Sequence, residues 1–154
     1  MDIFIIIYIV FIVAPIGTLF HETGHAIGAK LVRADKIHLS LGCGNLGYTF
    51  RLQGFRLTLH SIYFIGGFAS SERNKPYHVK EKILISIFGP FCNLIIACLI
   101  YFIYVQVQNE YLFILMLFNL WLAIINLIPF TLLGKQSDGY TILKEISSAI
   151  RKKT

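Results

Sequence analysis

Apolar positions run without a charge from Ile3 to Leu19, and a helix-like stretch carries the run on to about Ala29. Two further apolar segments follow, 83–105 and 111–128. Each approaches or exceeds the roughly 20 residues of helix that cross a bilayer core. Between the first two segments the period changes to two. Ile37–Leu41 (IHLSL), Tyr48–Gln53 (YTFRLQ) and Phe55–His60 (FRLTLH) alternate apolar and polar side chains as half-buried strands do. With Gln53-Gly54 as a two-residue turn, Leu52 faces Phe55, Phe50 faces Leu57 and Tyr48 faces Leu59, so the apolar sides agree. The same register sets Arg51 against Arg56, which is tolerable beside phosphates or water. After the third segment, Ile142, Leu143, Ile146 and Ile150 share one helical face, the pattern of an interfacial helix that anchors rather than forms a site. The pattern predicts a mainly α-helical membrane protein in one domain, 1–154. It has three core transmembrane helices, a small membrane-associated β-sheet over about 37–64, and a C-terminal interfacial helix over about 139–152.

Composition strengthens the membrane reading: 56% of the 154 residues are hydrophobic, 14% are charged, and the mean hydropathy is +0.68. An ordinary soluble domain lies far from these values. Charge adds an orientation. Nine of the fourteen Lys and Arg lie between Lys30 and Lys82, five lie from Lys135 onward, and the turn QVQNE (Gln106–Glu110) has none. Basic residues stay on the cytoplasmic side, which puts the N-terminus outside and the C-terminus in the cytoplasm. Anionic headgroups account for the net charge of +6 without a nucleic-acid partner. The N-terminus lacks a basic leader region and a small-residue cleavage site, so a retained span is expected. Cys43, Cys92 and Cys98 have no metal-ligand spacing and read as packing residues.

The chemistry concentrates in FHETGH. On a helix His21 and His25 project from one face and can reach one metal ion, with Glu22 beside it and available to a bound water. His21 follows about 27 Å of helix from Ile3, near the cytoplasmic end of the run. An ionisable group at a span centre costs about 3 kcal/mol on insertion scales, so three within five residues call for a compensating partner. A metal supplies one; the plainer role for a lone membrane His or Glu is packing or proton relay. A hydrolytic zinc site wants a third protein ligand and an open position. Glu110 lies on the opposite side by the charge rule. Asp35, Glu72, Glu81 and Glu145 have charged neighbours, while His38, His60 and His78 lie in loop or sheet. Asp138 differs: it follows the third span, and Gly139 after it permits a tight turn. Pro90 frees the carbonyl of Ser86 in span two, and Pro15 that of Phe11 in span one.

Three separated stretches then resemble the site-2 proteases, intramembrane zinc metalloproteases. FHETGH is similar to that family's zinc helix, GPFCN (Gly89–Asn93) to its second-span signature, and NLIP…SDG (Asn126–Gly139) to its third-span motif. The resemblance implies a minimal, core-only member with one Zn2+ per chain held by His21, His25 and Asp138. It makes Glu22 the catalytic acid/base and sets Asn93 and Asn126 near the substrate carbonyl or backbone. Gly89, Pro90, Pro129 and Gly139 are then structural at the site. Interhelical hydrogen bonding is the plainer role for both asparagines. The implied activity is hydrolysis of a peptide bond in or near a transmembrane segment of a membrane-protein or peptide substrate. The implied location is a bacterial cell membrane. A substrate segment added to an edge of the Ile37–His60 sheet would expose its scissile bond. The sequence departs from the family in its longer link, FTLLGKQSDG, and in carrying no PDZ-like or nucleotide-sensing module. Two rival readings remain: a metal-binding transporter or relay, expected to carry half-helices or repeats, and a silent membrane adaptor binding helices through Gly24 and Gly28.

Overall fold

The computed structural model describes residues 2–132 and 134–151. The first apolar run is one helical rod in three parts: α1 (Ile3–Tyr8), a π-helical turn at Ile9–Val13, and α2 (Ala14–Leu31). The widened turn has a local cause. Pro15 has no N–H to offer the Phe11 carbonyl four residues back, and the Tyr63 hydroxyl donates to that carbonyl instead, at 3.4 Å. The second rod, α3 (Val79–Val107), extends beyond 83–105 at both ends and carries Pro90 in its interior. A two-residue turn leads to α4 (Glu110–Leu127), whose first turn is capped by Asn109 accepting from the Tyr111 and Leu112 amides at 2.9 and 3.2 Å. It stops where Ile128 turns extended ahead of Pro129, as a residue before proline does. All three rods are long and apolar enough to cross a membrane. Large side chains such as Phe102, Trp121 and Ile124 remain exposed along α3 and α4.

Between α2 and α3 lie two long bent strands, β1 (Lys36–Leu52) and β2 (Phe55–Glu72). Leu52↔Phe55, Phe50↔Leu57 and Tyr48↔Leu59 pair as the alternation predicts, around a turn where Gly54 takes φ +74°. The sheet is larger than 37–64 and more folded than a hairpin. Ile37–Leu41 lies between two segments of β2: it runs antiparallel to the stretch ending at Glu72, from Lys36↔Glu72 to Leu41↔Gly67. On its other side it runs in the same direction as Phe55–Leu59, from Ile37↔Phe55 to Leu41↔Leu59. Its apolar face covers α2, burying Ala26, Ala29, Ile37 and Leu39 with Leu19, Phe55, Leu57 and Ile85 packed around them.

Small residues set the approach of α2 to α3. A Cβ at Gly24 would collide with the Phe88 carbonyl, and one at Gly28 would lie 3.0 Å from Ile85 Cα. The glycine pair offered as an adaptor surface is therefore covered by the chain's own α3. Arg73 ties the end of β2 to both helices: it donates to the Val32 carbonyl at 2.7 Å and to both Glu81 oxygens at 2.9 and 2.7 Å, and stacks over Tyr77. After α4 come the short strands β3 (Thr131–Leu132) and β4 (Lys135–Gln136), then α5 (Asp138–Arg151). Leu143, Ile146 and Ile150 of α5 stay exposed, and a Lys82–Glu145 ion pair at 3.0 Å ties the helix to α3. The cysteines depart from the packing role: Cys43 and Cys98 are exposed, and Cys92 alone is half-buried, beside Gly24.

Candidate metal centre

The helix α2 holds His21 and His25 one turn apart, and each imidazole is gripped from behind. His21 Nδ1 lies 2.7 Å from Asn93 Oδ1, and His25 Nδ1 lies 2.8 Å from the Ile85 carbonyl. A carbonyl oxygen only accepts, so His25 Nδ1 carries a proton. The same holds for His21. The Asn93 amide nitrogen already donates to the Gly17 carbonyl at 3.0 Å and to Asn119 Oδ1 at 2.9 Å, and Asn119 in turn donates to the Leu115 carbonyl at 2.9 Å. That chain fixes the amide, leaving Asn93 Oδ1 to accept from His21 Nδ1. In the neutral rings both Nε2 atoms are then bare lone pairs, and they lie 3.1 Å apart. The Asp138 carboxylate faces them, with oxygens 3.0 Å from His21 Nε2 and 3.2 Å from His25 Nε2. Three acceptors converge on one point and repel one another unless a cation lies among them.

The donor chemistry fits zinc. Two imidazole nitrogens and one carboxylate oxygen, all within 4.8 Å of one another, form a set of three protein ligands that leaves a further position open. Each histidine has the hydrogen-bonded rear nitrogen that orients metal-binding imidazoles.

Asp138 arrives from far along the chain through a local device. Ser137 caps α5: its hydroxyl accepts from the Tyr140 amide at 3.1 Å and donates to the Ile128 carbonyl at 2.7 Å. Asp138 is thus the first helical residue, where the helix dipole favours an anion. Gly139 allows the approach, since a Cβ there would collide with the Leu127 carbonyl. The helix expected to be only an anchor therefore begins inside the site.

His21, Glu22, His25, Asn126 and Asp138 line one cavity of about 820 Å³. Glu22 is buried, seated by the strand that crosses it: a Cβ on Gly67 would lie 2.9 Å from Glu22 Cγ and 2.7 Å from Thr18 Cγ2. The sheet segment at this cavity is Gly67–Ala69, beyond the Ile37–His60 stretch expected to offer an edge. The other sequence-predicted residues divide. Gly89 packs directly against both imidazoles, and Pro90 beside it is fully buried. Asn126 reaches the cavity wall, its amide donating to the Leu122 carbonyl at 2.9 Å. Asn93 does not line the cavity: it is 0% exposed, and its oxygen and nitrogen are both engaged behind His21. Pro129 is exposed and serves to end α4.

Sequence reasoning missed Asn119, Ser137 and Gly67. Asn119 did carry a signal, as a lone amide in an apolar span. The longer link is the β3–β4 hairpin, and its Leu132, Lys135 and Gln136 border the same cavity.

Three helices long and apolar enough to cross a membrane, with a partly buried His-His-Asp cluster and an adjacent glutamate, point to a membrane protein with a candidate metal centre. Residues 4–113 match the family model described as Peptidase family M50, and the chain belongs to that family, the site-2 protease family. The match includes FHETGH and GPFCN and stops before Asn126 and Asp138. No curated protein matches the chain.

Proposed function

We propose that this chain is a zinc-dependent intramembrane endopeptidase, with His21, His25 and Asp138 as ligands of one zinc ion and Glu22 as acid/base. The observation that carries this reading is the convergence of two bare Nε2 atoms and a carboxylate beside a buried glutamate. Zinc at that point would supply a Lewis acid and lower the pKa of water toward neutrality. Glu22 takes the proton from the attacking water and returns it to the leaving amine. Asn126 holds the substrate backbone at the cavity wall, and Asn93 acts one step back, fixing the tautomer and aim of His21. The basic residues flanking the spans favour an N-terminus outside and a C-terminus in the cytoplasm.

The test is bound zinc per chain in detergent-purified protein, together with cleavage of a reconstituted membrane peptide. About one zinc per chain and chelator-sensitive cleavage are expected. Asn93→Ala is expected to weaken zinc by about 10–100-fold in competition with a chelator, the usual cost of losing a partner behind a ligand. Unchanged affinity would remove Asn93 from this role.

A helical substrate hides its scissile bond within its own hydrogen bonds. We place the opened segment along Gly67–Ala69, the extended backbone that passes Glu22. A photocrosslinker on a substrate trapped by a Glu22 variant should label Phe68. Labelling confined to α3 and α4 would exclude this path.

A further inference from the structure

A second cavity, of about 370 Å³, lies at the Gly54 turn end of the sheet, where Ile37, Leu52 and Phe55 also border it, and shares no lining residue with the metal centre. Its walls include Lys36, His38, Arg51, Arg56, Ser70 and Glu72. The strand register sets Arg51 against Arg56, Arg56 against His38, and His38 against Ser70, so these four side chains form one row across the sheet. Like charges directly opposed across a strand pair are unfavourable without a counter-ion. None is supplied internally: among the described residues neither Arg51 nor Arg56 has an ion pair, and the one carboxylate lining the cavity, Glu72, lies 3.8 Å from Lys36. Three cations thus face one carboxylate. His38 is held by Thr58 at 3.0 Å, and among the described residues the two exposed guanidinium groups have no partner within the protein.

The reverse of the same hairpin says what the anion is attached to. Tyr48 and Phe50 alternate with Arg51, so they occupy the opposite face, and they are 83% and 59% exposed; Leu52, at the turn, borders the cavity itself. An edge with aromatic side chains on one face and arginines on the other suits the boundary between acyl chains and headgroups. A soluble surface gains nothing from that arrangement. The guanidinium fork matches a phosphate in shape as well as charge.

We propose that this cavity binds the phosphate of an anionic membrane lipid, with Arg51 and Arg56 as the principal ligands and Lys36 as the third cation. The site anchors the outer hairpin at the membrane surface, and its existence does not depend on the catalytic reading.

The test is lipid retention by the full chain purified in detergent. Wild type and Arg51→Gln/Arg56→Gln are each mixed with equal amounts of phosphatidylglycerol and phosphatidylcholine, and bound lipid is counted by native mass spectrometry. Wild type should retain phosphatidylglycerol preferentially, and the double variant should lose that preference by roughly thirtyfold, the factor for two cations removed from a membrane surface. Lys80→Gln/Lys144→Gln removes the same charge elsewhere and should keep the preference. Arg51→Lys/Arg56→Lys should retain part of it, and a wild-type thermal transition in each variant shows that the fold is intact. Equal phosphatidylglycerol retention by wild type and Arg51→Gln/Arg56→Gln overturns the proposal. Displacement of the lipid by millimolar inorganic phosphate also overturns it, since the site would then be one for free phosphate.

Discussion

Glu22→Gln is expected to leave bound zinc at the wild-type level while reducing cleavage by about 10²–10⁴-fold, the contribution of a positioned acid/base. The two readouts separate because Glu22 shares the cavity with the ligand cluster without belonging to it. Glutamine keeps the shape that Gly67 and Thr18 accommodate, so the strand crossing α2 has no cause to move. What glutamine lacks is a site for the water's proton at neutral pH. The same variant decides among the rival readings. A metal relay that uses the carboxylate would lose transport and show no cleavage in the wild type. An adaptor would keep its activity, and its proposed Gly24–Gly28 contact surface is already covered by Phe88 and Ile85. Cleavage by Glu22→Gln at the wild-type rate would remove the glutamate from the chemistry and with it the mechanism.

The sequence was most legible where one physical term dominates. Apolar run length locates all three rods, because a helix long enough to cross a bilayer leaves few alternative patterns. The register around Gly54 was legible because strict alternation admits a single alignment of apolar sides. Legibility ended where alternation did. Ile62–Phe68 reads IYFIGGF, with apolar residues on consecutive positions, so the expected sheet ends near 64 and the return beside Ile37–Leu41 is not marked. Yet Gly67 in that stretch is the residue that lets the sheet touch Glu22. The donors of the metal centre could be named from spacing and likeness. The groups aiming them were hidden, because the amide chain from Leu115 through Asn119 and Asn93 to His21 joins three helices, and no local pattern encodes such a contact. The added residues before Asp138 are where the sequence departs from the family pattern. They fold as a hairpin closed at Leu132↔Lys135, and the chain leaves it straight into the Ser137 cap.

Asp138→Asn tests the ligand set where the family match is silent, since the matched residues end at 113. The substitution is nearly isosteric and retains one oxygen, but it removes the charge that two neutral imidazoles leave uncompensated at the metal. Zinc affinity is expected to fall by at least about 100-fold, the upper end of what the loss of an outer partner costs, because here a ligand itself is altered. Bound zinc after dialysis against a mild chelator should then drop well below one per chain. The fold should survive: the cap on α5 comes from Ser137, the close contact at its start from Gly139, and the tie to α3 from Lys82 and Glu145, all unchanged. A wild-type thermal transition in the absence of zinc would establish that. With the fold intact, unchanged zinc would mean that the third ligand lies elsewhere and that the contacts of 3.0 and 3.2 Å to the histidines serve packing alone. Lost zinc with an intact fold would assign α5 a double function, as a surface helix along its length and a donor of the metal site at its first residue.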